Sequence, residues 1–150
     1  MKTLLRARDE ERGVSAVEFA LIAPILMLIL VGILDLGRAV NAYVTVSNAA
    51  REGTHYLALH PTAAPTQIQD VVRQRVVPLN PQDVNVTASY YNGSSFQPWP
   101  ASPTSNPSPS YTPVRVTVNY DWKAVTFIGM FFPGGVGPTF MVSSTVDMLR

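Results

Sequence analysis

Residues 14–34 read VSAVEFALIAPILMLILVGIL, and this stretch decides the fold. It holds one charge, Glu18, and from Phe19 to Leu34 it holds none. Wound as a helix it rises about 31 Å, enough to cross a hydrocarbon core of about 30 Å. A core helix of a small soluble domain would carry a polar stripe, and this one has none. The sequence therefore predicts a transmembrane helix over 14–34. Before it lies MKTLLRARDEERG, residues 1–13, with Lys2, Arg6, Arg8 and Arg12 against Asp9, Glu10 and Glu11. After it, only Arg38 and Arg51 follow within about twenty residues, so the positive charge sets the N-terminus in the cytoplasm and the C-terminus outside. A cleaved secretory signal would have a shorter apolar run and a small-residue cleavage site. Here the helical pattern continues through DLGRAVNAY, and a retained anchor is expected.

The same segment accounts for the composition. Charged residues make up 14% of the 150 residues, against about 25% in ordinary soluble proteins. The formal net charge is +1, which leaves no electrostatic footprint for nucleic acid. The chain has no cysteine, hence no disulfide, thiolate nucleophile or thiolate metal site. His55 and His60, near Glu52, diverge around a helix and make no metal site. No G-x-S-x-G, phosphate-binding glycine loop or HExxH occurs. The expectation is a non-enzymatic protein without cofactor, metal or small-molecule substrate.

Glu18 is the odd residue. A carboxylate at mid-bilayer costs about 2.5–3.5 kcal/mol on insertion scales, less near a helix end. On one reading its head reaches interfacial water. On another, cleavage after Gly13 gives Val14 a new α-amino group, and Glu18 becomes the fifth residue of the mature chain. Positions one and five share a helix face, so the carboxylate neutralises that ammonium, on its own chain or a neighbour, in a low-dielectric setting.

The block Arg12 to Pro24 (RGVSAVEFALIAP), then Gly32 to Arg38 (GILDLGR), then Asn48 to Ala58 (NAAREGTHYLA) resembles TadE-like proteins, pilin-like components of the tight-adherence (Flp) pilus system. The mixed-charge leader departs from the usual basic one. The resemblance implies processing between Gly13 and Val14 by a prepilin peptidase, with Glu18 and Phe19 setting the register of one helix against the next. It implies a bacterial inner-membrane protein with a periplasmic C-terminal region, either built into an extracellular pilus or kept as an assembly factor. Its partners would be membrane lipid, other pilin-like subunits and the assembly machinery. The alternative is an uncleaved single-pass anchor carrying a periplasmic ligand-binding or sensor module.

Residues 35–60 read as an extension of the helix. Leu36, Val40, Tyr43, Ser47, Ala50, Thr54 and Leu57 follow helical spacing on one face. Ala49, Ala50 and Gly53 suit close packing, expected against the chain's own domain, and the helix should end near His60-Pro61. Residues 61–150 read as an extracytoplasmic α+β domain. A short amphipathic helix over PTQIQDVVRQRVVPLNP places Ile68, Val71, Val72 and Val76 inward, with Thr66 and Gln69 as a capping box. DVNVTASYY, VRVTVNYDW and TFMVSSTVDML alternate with period two, predicting about three strands of a small antiparallel sheet. Residues 92–113, rich in Pro and Ser, read as a long loop, with Phe96 and Trp99 clasping the sheet edge. The apolar cluster 125–132, too short to span a membrane, is expected to pack on the sheet rather than on lipid.

Overall fold

The computed structural model describes residues 2–102, 107, 112–123 and 139–149. Its elements are α1 (Lys2–Leu59), α2 (Pro65–Arg75), a 3-10 turn (Pro81–Asp83), β1 (Val84–Tyr91), β2 (Phe96–Pro98), β3 (Pro113–Lys123) and β4 (Thr139–Leu149). The fold class is α+β. Two compact units divide between Gly37 and Arg38. The first holds the N-terminal part of α1. The second holds the rest of α1 with every other described element.

In the second unit the four strands form one antiparallel sheet in the order β2-β1-β3-β4. β1 meets β3 from Val84↔Tyr120 to Tyr90↔Val114, and β3 meets β4 from Pro113↔Leu149 to Lys123↔Thr139. The alternation seen in the sequence becomes two faces. Val84 and Val86 of β1 and Val114, Val116 and Val118 of β3 are buried, while their neighbours face water. Burying a side chain of this size is worth about 1.5–3 kcal/mol, and α1 and α2 provide the cover: Val46, Ala49, Ala50, Leu57, Ile68 and Val72 join the same core.

Close approach selects small residues in α1. A Cβ on Gly53 would meet Val72 Cγ2 at 2.7 Å and Val116 Cγ1 at 3.3 Å. Thr54, fully buried, donates its hydroxyl to Ala50 O at 2.7 Å and to Val146 O at 3.3 Å. The expected inward face is right for Ala50, Thr54 and Leu57 and wrong nearer the N-terminus. Leu36, Val40 and Tyr43 are 66%, 55% and 55% exposed, and Ala42 and Val46 are buried instead. Packed elements cross at an angle, so the contact stripe moves around the helix along its length.

The helix ends where expected. The residue before a proline is pushed out of helical geometry, and His60 precedes Pro61. His60 N still donates to Tyr56 O at 2.9 Å, and its ring stacks on Tyr56 with centroids 4.2 Å apart. At the start of α2 the capping differs from expectation. Pro65 takes a first-turn position, and Ala64 N donates to Gln67 Oε1 at 2.9 Å, so Thr66 and Gln69 are not the pair.

A fourth strand lies inside the stretch read as a loop. Asn92 makes the turn, its Oδ1 accepting from Ser94 N at 2.9 Å and Ser95 N at 3.0 Å, with Gly93 at φ +98°. Such a φ suits glycine. Phe96–Pro98 then pairs back on Ser89–Tyr91. Trp99, 5% exposed, is the expected clasp: its Nε1 donates to Ala63 O at 2.9 Å. The rest of that stretch (103–106 and 108–111) and the apolar cluster 125–132 lie outside the described residues.

On the wet face, Arg115 holds Asp147 through two bonds, Nε to Oδ1 at 2.7 Å and Nη2 to Oδ2 at 2.8 Å. The guanidinium also lies over the Phe96 ring, 3.7 Å from its centroid, a cation–π geometry. Hydrogen bonds from Arg115 hold the Asp147 carboxyl below its ordinary value, opposed by partial burial. A carboxylate lowered in the folded state stabilises above the ordinary carboxylate range, and that contribution disappears as pH falls through the lowered value. Both side chains are more than one-third exposed, so solvent screening limits the contribution to about 0.2–1 kcal/mol. Denaturation midpoints taken from neutral to acid pH should fall more steeply for the parent than for Asp147→Asn, and parallel curves would remove the pair from the account.

Candidate functional site

The site is the surface of α1 between Gly13 and Leu34. Within Gly13–Leu59 one stretch is long and apolar enough to cross a membrane, and none of that window is buried inside the chain. Val14, Val17, Phe19, Leu21, Ile25, Met27 and Ile33 are all exposed. So large an apolar surface is not stable in water and calls for lipid or other helices. Pro24 sits inside the helix without ending it. In a bilayer the carbonyl it frees is satisfied locally or by a neighbour.

Three of the residues singled out from sequence, Gly13, Val14 and Glu18, fall close together. Gly13, Val14, Val17 and Glu18 line one shallow hollow, because i, i+1, i+4 and i+5 share a helix face. Phe19 lies on the adjoining face, in a second hollow with Ala20, Ala23, Pro24, Leu26, Met27 and Leu30. Small residues at Ala20 and Ala23 make the notch, and large apolar ones rim it. Close approach of a second helix requires this kind of surface in lipid. Among the described residues, a Cβ on Gly13 would meet nothing within 4 Å, so their packing does not account for glycine there.

One residue escaped the sequence reading. Asp35, directly after the apolar run, is 7% exposed and engaged in an interaction. The signal was its position, a carboxylate at the exact edge of the predicted span in GILDLGR. Phe96 and Trp99, two aromatic residues of the Pro-rich stretch, are held within the sheet-bearing unit. Among the described residues no group of three His, Cys, Asp or Glu side chains is placed to hold a metal ion.

No curated protein and no solved structure matches the chain. Residues 13–55 match the family model described as TadE-like protein. The match begins at the glycine of the first hollow and runs along α1 to the close-packed Gly53 and Thr54. α2 and the sheet lie beyond it.

Proposed function

We propose that this chain is a membrane-anchored, pilin-like subunit of tight-adherence pilus assembly with a structural, non-enzymatic role. The observation that carries the reading is the long α1 helix whose exposed apolar stretch begins at Gly13, where the TadE-like match also starts. A prepilin peptidase cuts between Gly13 and Val14. The cut removes the charged segment 1–13 and leaves an ammonium one helical turn from Glu18. The helix stays in the inner membrane, N-terminus cytoplasmic and C-terminal unit periplasmic, until the assembly machinery engages it. Neighbouring subunits then pack on the notch beside Phe19, and Glu18 fixes their register through the charge it shares with a Val14 ammonium.

Intact mass of the protein extracted with detergent from its native host tests this. The expected species lacks residues 1–13 and begins at Val14. A chain still carrying those residues where the peptidase is active overturns the processing step and favours the uncleaved anchor.

A further inference from the structure

The turn between β1 and β2 is built on Asn92 and Gly93. The Asn92 side chain folds back over the chain that follows it, where its Oδ1 accepts from Ser94 N at 2.9 Å and from Ser95 N at 3.0 Å. An asparagine bonded to the backbone two residues on closes a ring over the peptide between them. Here the nitrogen of that peptide belongs to Gly93. The Asn92 Cγ is thereby held beside Gly93 N, and one further bond between them would close a five-membered ring.

Three features of the turn favour that bond. Gly93 has no side chain to crowd the approach to Cγ. Residues 92–95 are exposed, so hydroxide and water reach the amide. The two N–H groups on Oδ1 sit on the atom that gains negative charge when a nucleophile adds to Cγ. Donors about 2.7–3.1 Å from a developing oxyanion are how acyl-transfer sites lower their barriers. Asn80 offers the contrast. Its Oδ1 also accepts from the nitrogen two residues on, Gln82 N at 3.2 Å, but the residue between is Pro81, which has no N–H to give up. Asn106 also precedes a proline. Asn85 is followed by Val86, Asn119 by Tyr120, and Asn41 and Asn48 by alanines, all with side chains beside the nitrogen.

We propose that Asn92 is a site of self-catalysed deamidation, promoted by the folded turn, and that one of its products releases β2 from the sheet. Gly93 N gives its proton to hydroxide and attacks Asn92 Cγ. The N–Cγ bond forms, the Cγ–Nδ2 bond breaks, and Nδ2 leaves as ammonia with a proton from water. The resulting succinimide takes up one water. Opening at Cγ gives aspartate, whose carboxylate still accepts from Ser94 N and Ser95 N and keeps the turn. Opening at the main-chain carbonyl gives isoaspartate, in which the chain runs through Cβ and Cγ and gains one atom. Turn length fixes the register of a hairpin. Tyr91↔Phe96, Tyr90↔Gln97 and Ser89↔Pro98 then no longer meet, nor does Trp99 N with Ala88 O. The inference involves the sheet-bearing unit alone and is independent of the anchoring and processing proposed above.

Peptide mapping of the full chain in detergent at mildly alkaline pH, with fragmentation that separates aspartate from isoaspartate, tests the proposal. Asn92 should convert before any other asparagine, at a rate that rises with hydroxide, while Asn80 stays an amide. The rate at Asn92 in the folded chain should equal or exceed the rate in the same chain unfolded in guanidinium chloride. A slower folded rate shows that the turn protects the amide and overturns the proposal, as does another asparagine converting first. The isoaspartate form, separated from the parent, should unfold at lower denaturant, whereas Asn92→Asp should keep the parent midpoint. An isoaspartate form as stable as the parent overturns the release of β2. An Asn92→Asp chain as weak as the isoaspartate form assigns the loss to charge rather than to register, and overturns it too.

Discussion

Trp99→Ala should destabilise the sheet-bearing unit by about 3–5 kcal/mol, the range for emptying a large aromatic site in a core. Three contacts go with the ring. The indole packs among the buried core residues, meets the Tyr90 ring edge-on at 6.1 Å, and bonds the Ala63 carbonyl. That bond ties β2 to the link between α1 and α2, so the loss spreads beyond one cavity. Trp99→Phe should recover part of the packing but leave Ala63 O without its donor, a deficit of about 1–3 kcal/mol if water does not replace it. Denaturant unfolding of the full chain in detergent measures both. The second tryptophan, Trp122, still reports fluorescence in either variant. A loss under about 1 kcal/mol for Trp99→Ala would show that the clasp does not hold the sheet.

Glu18→Ala should abolish pilus assembly while leaving the protein in the membrane. Removing a carboxylate from a spanning helix makes insertion easier, by up to about 2.5–3.5 kcal/mol if it sits deep. A loss of assembly therefore cannot be blamed on poor insertion. On the registry proposed above, what disappears is the counter-charge for the Val14 ammonium, leaving a positive charge unpaired in a low-dielectric interface, where breaking one partner of a buried pair costs about 3–5 kcal/mol. Glu18→Asp keeps the charge on a shorter arm and should restore assembly in part. Sheared surface pili, counted beside the amount of membrane-bound protein starting at Val14, give the answer. Pili at parental numbers in Glu18→Ala would end the registry role and leave Glu18 as an interfacial carboxylate.

Several elements were legible because their signals are local. The apolar stretch from Val14 to Leu34 shows in its single charge, the end of α1 in His60-Pro61, and β1, β3 and β4 in period-two alternation, broken in β4 by Ser144. β2 was not legible. Three residues between a turn and Trp99, with a proline among them, carry no periodicity, and pairing with β1 alone makes them a strand. The inward face of α1 was legible only in part. Periodicity identifies an apolar face, but the angle at which helix and sheet cross decides which length of that face is covered, hence the exposure of Val40 and Tyr43 beside buried Ala42 and Val46. For the candidate site, spacing alone placed Gly13, Val14 and Glu18 on one face, and the structure added the notch beside Phe19 and the buried Asp35.

The sequence by itself determined that this chain carries a membrane-length apolar helix with a single carboxylate near its start, followed by an α+β domain. Composition and short-range spacing set those features, and they act within one segment. Only the tertiary structure decided the strand order β2-β1-β3-β4 and the burial of Trp99 against Ala63. Each of those depends on residues far apart in the chain meeting in one register, and no local pattern carries that information.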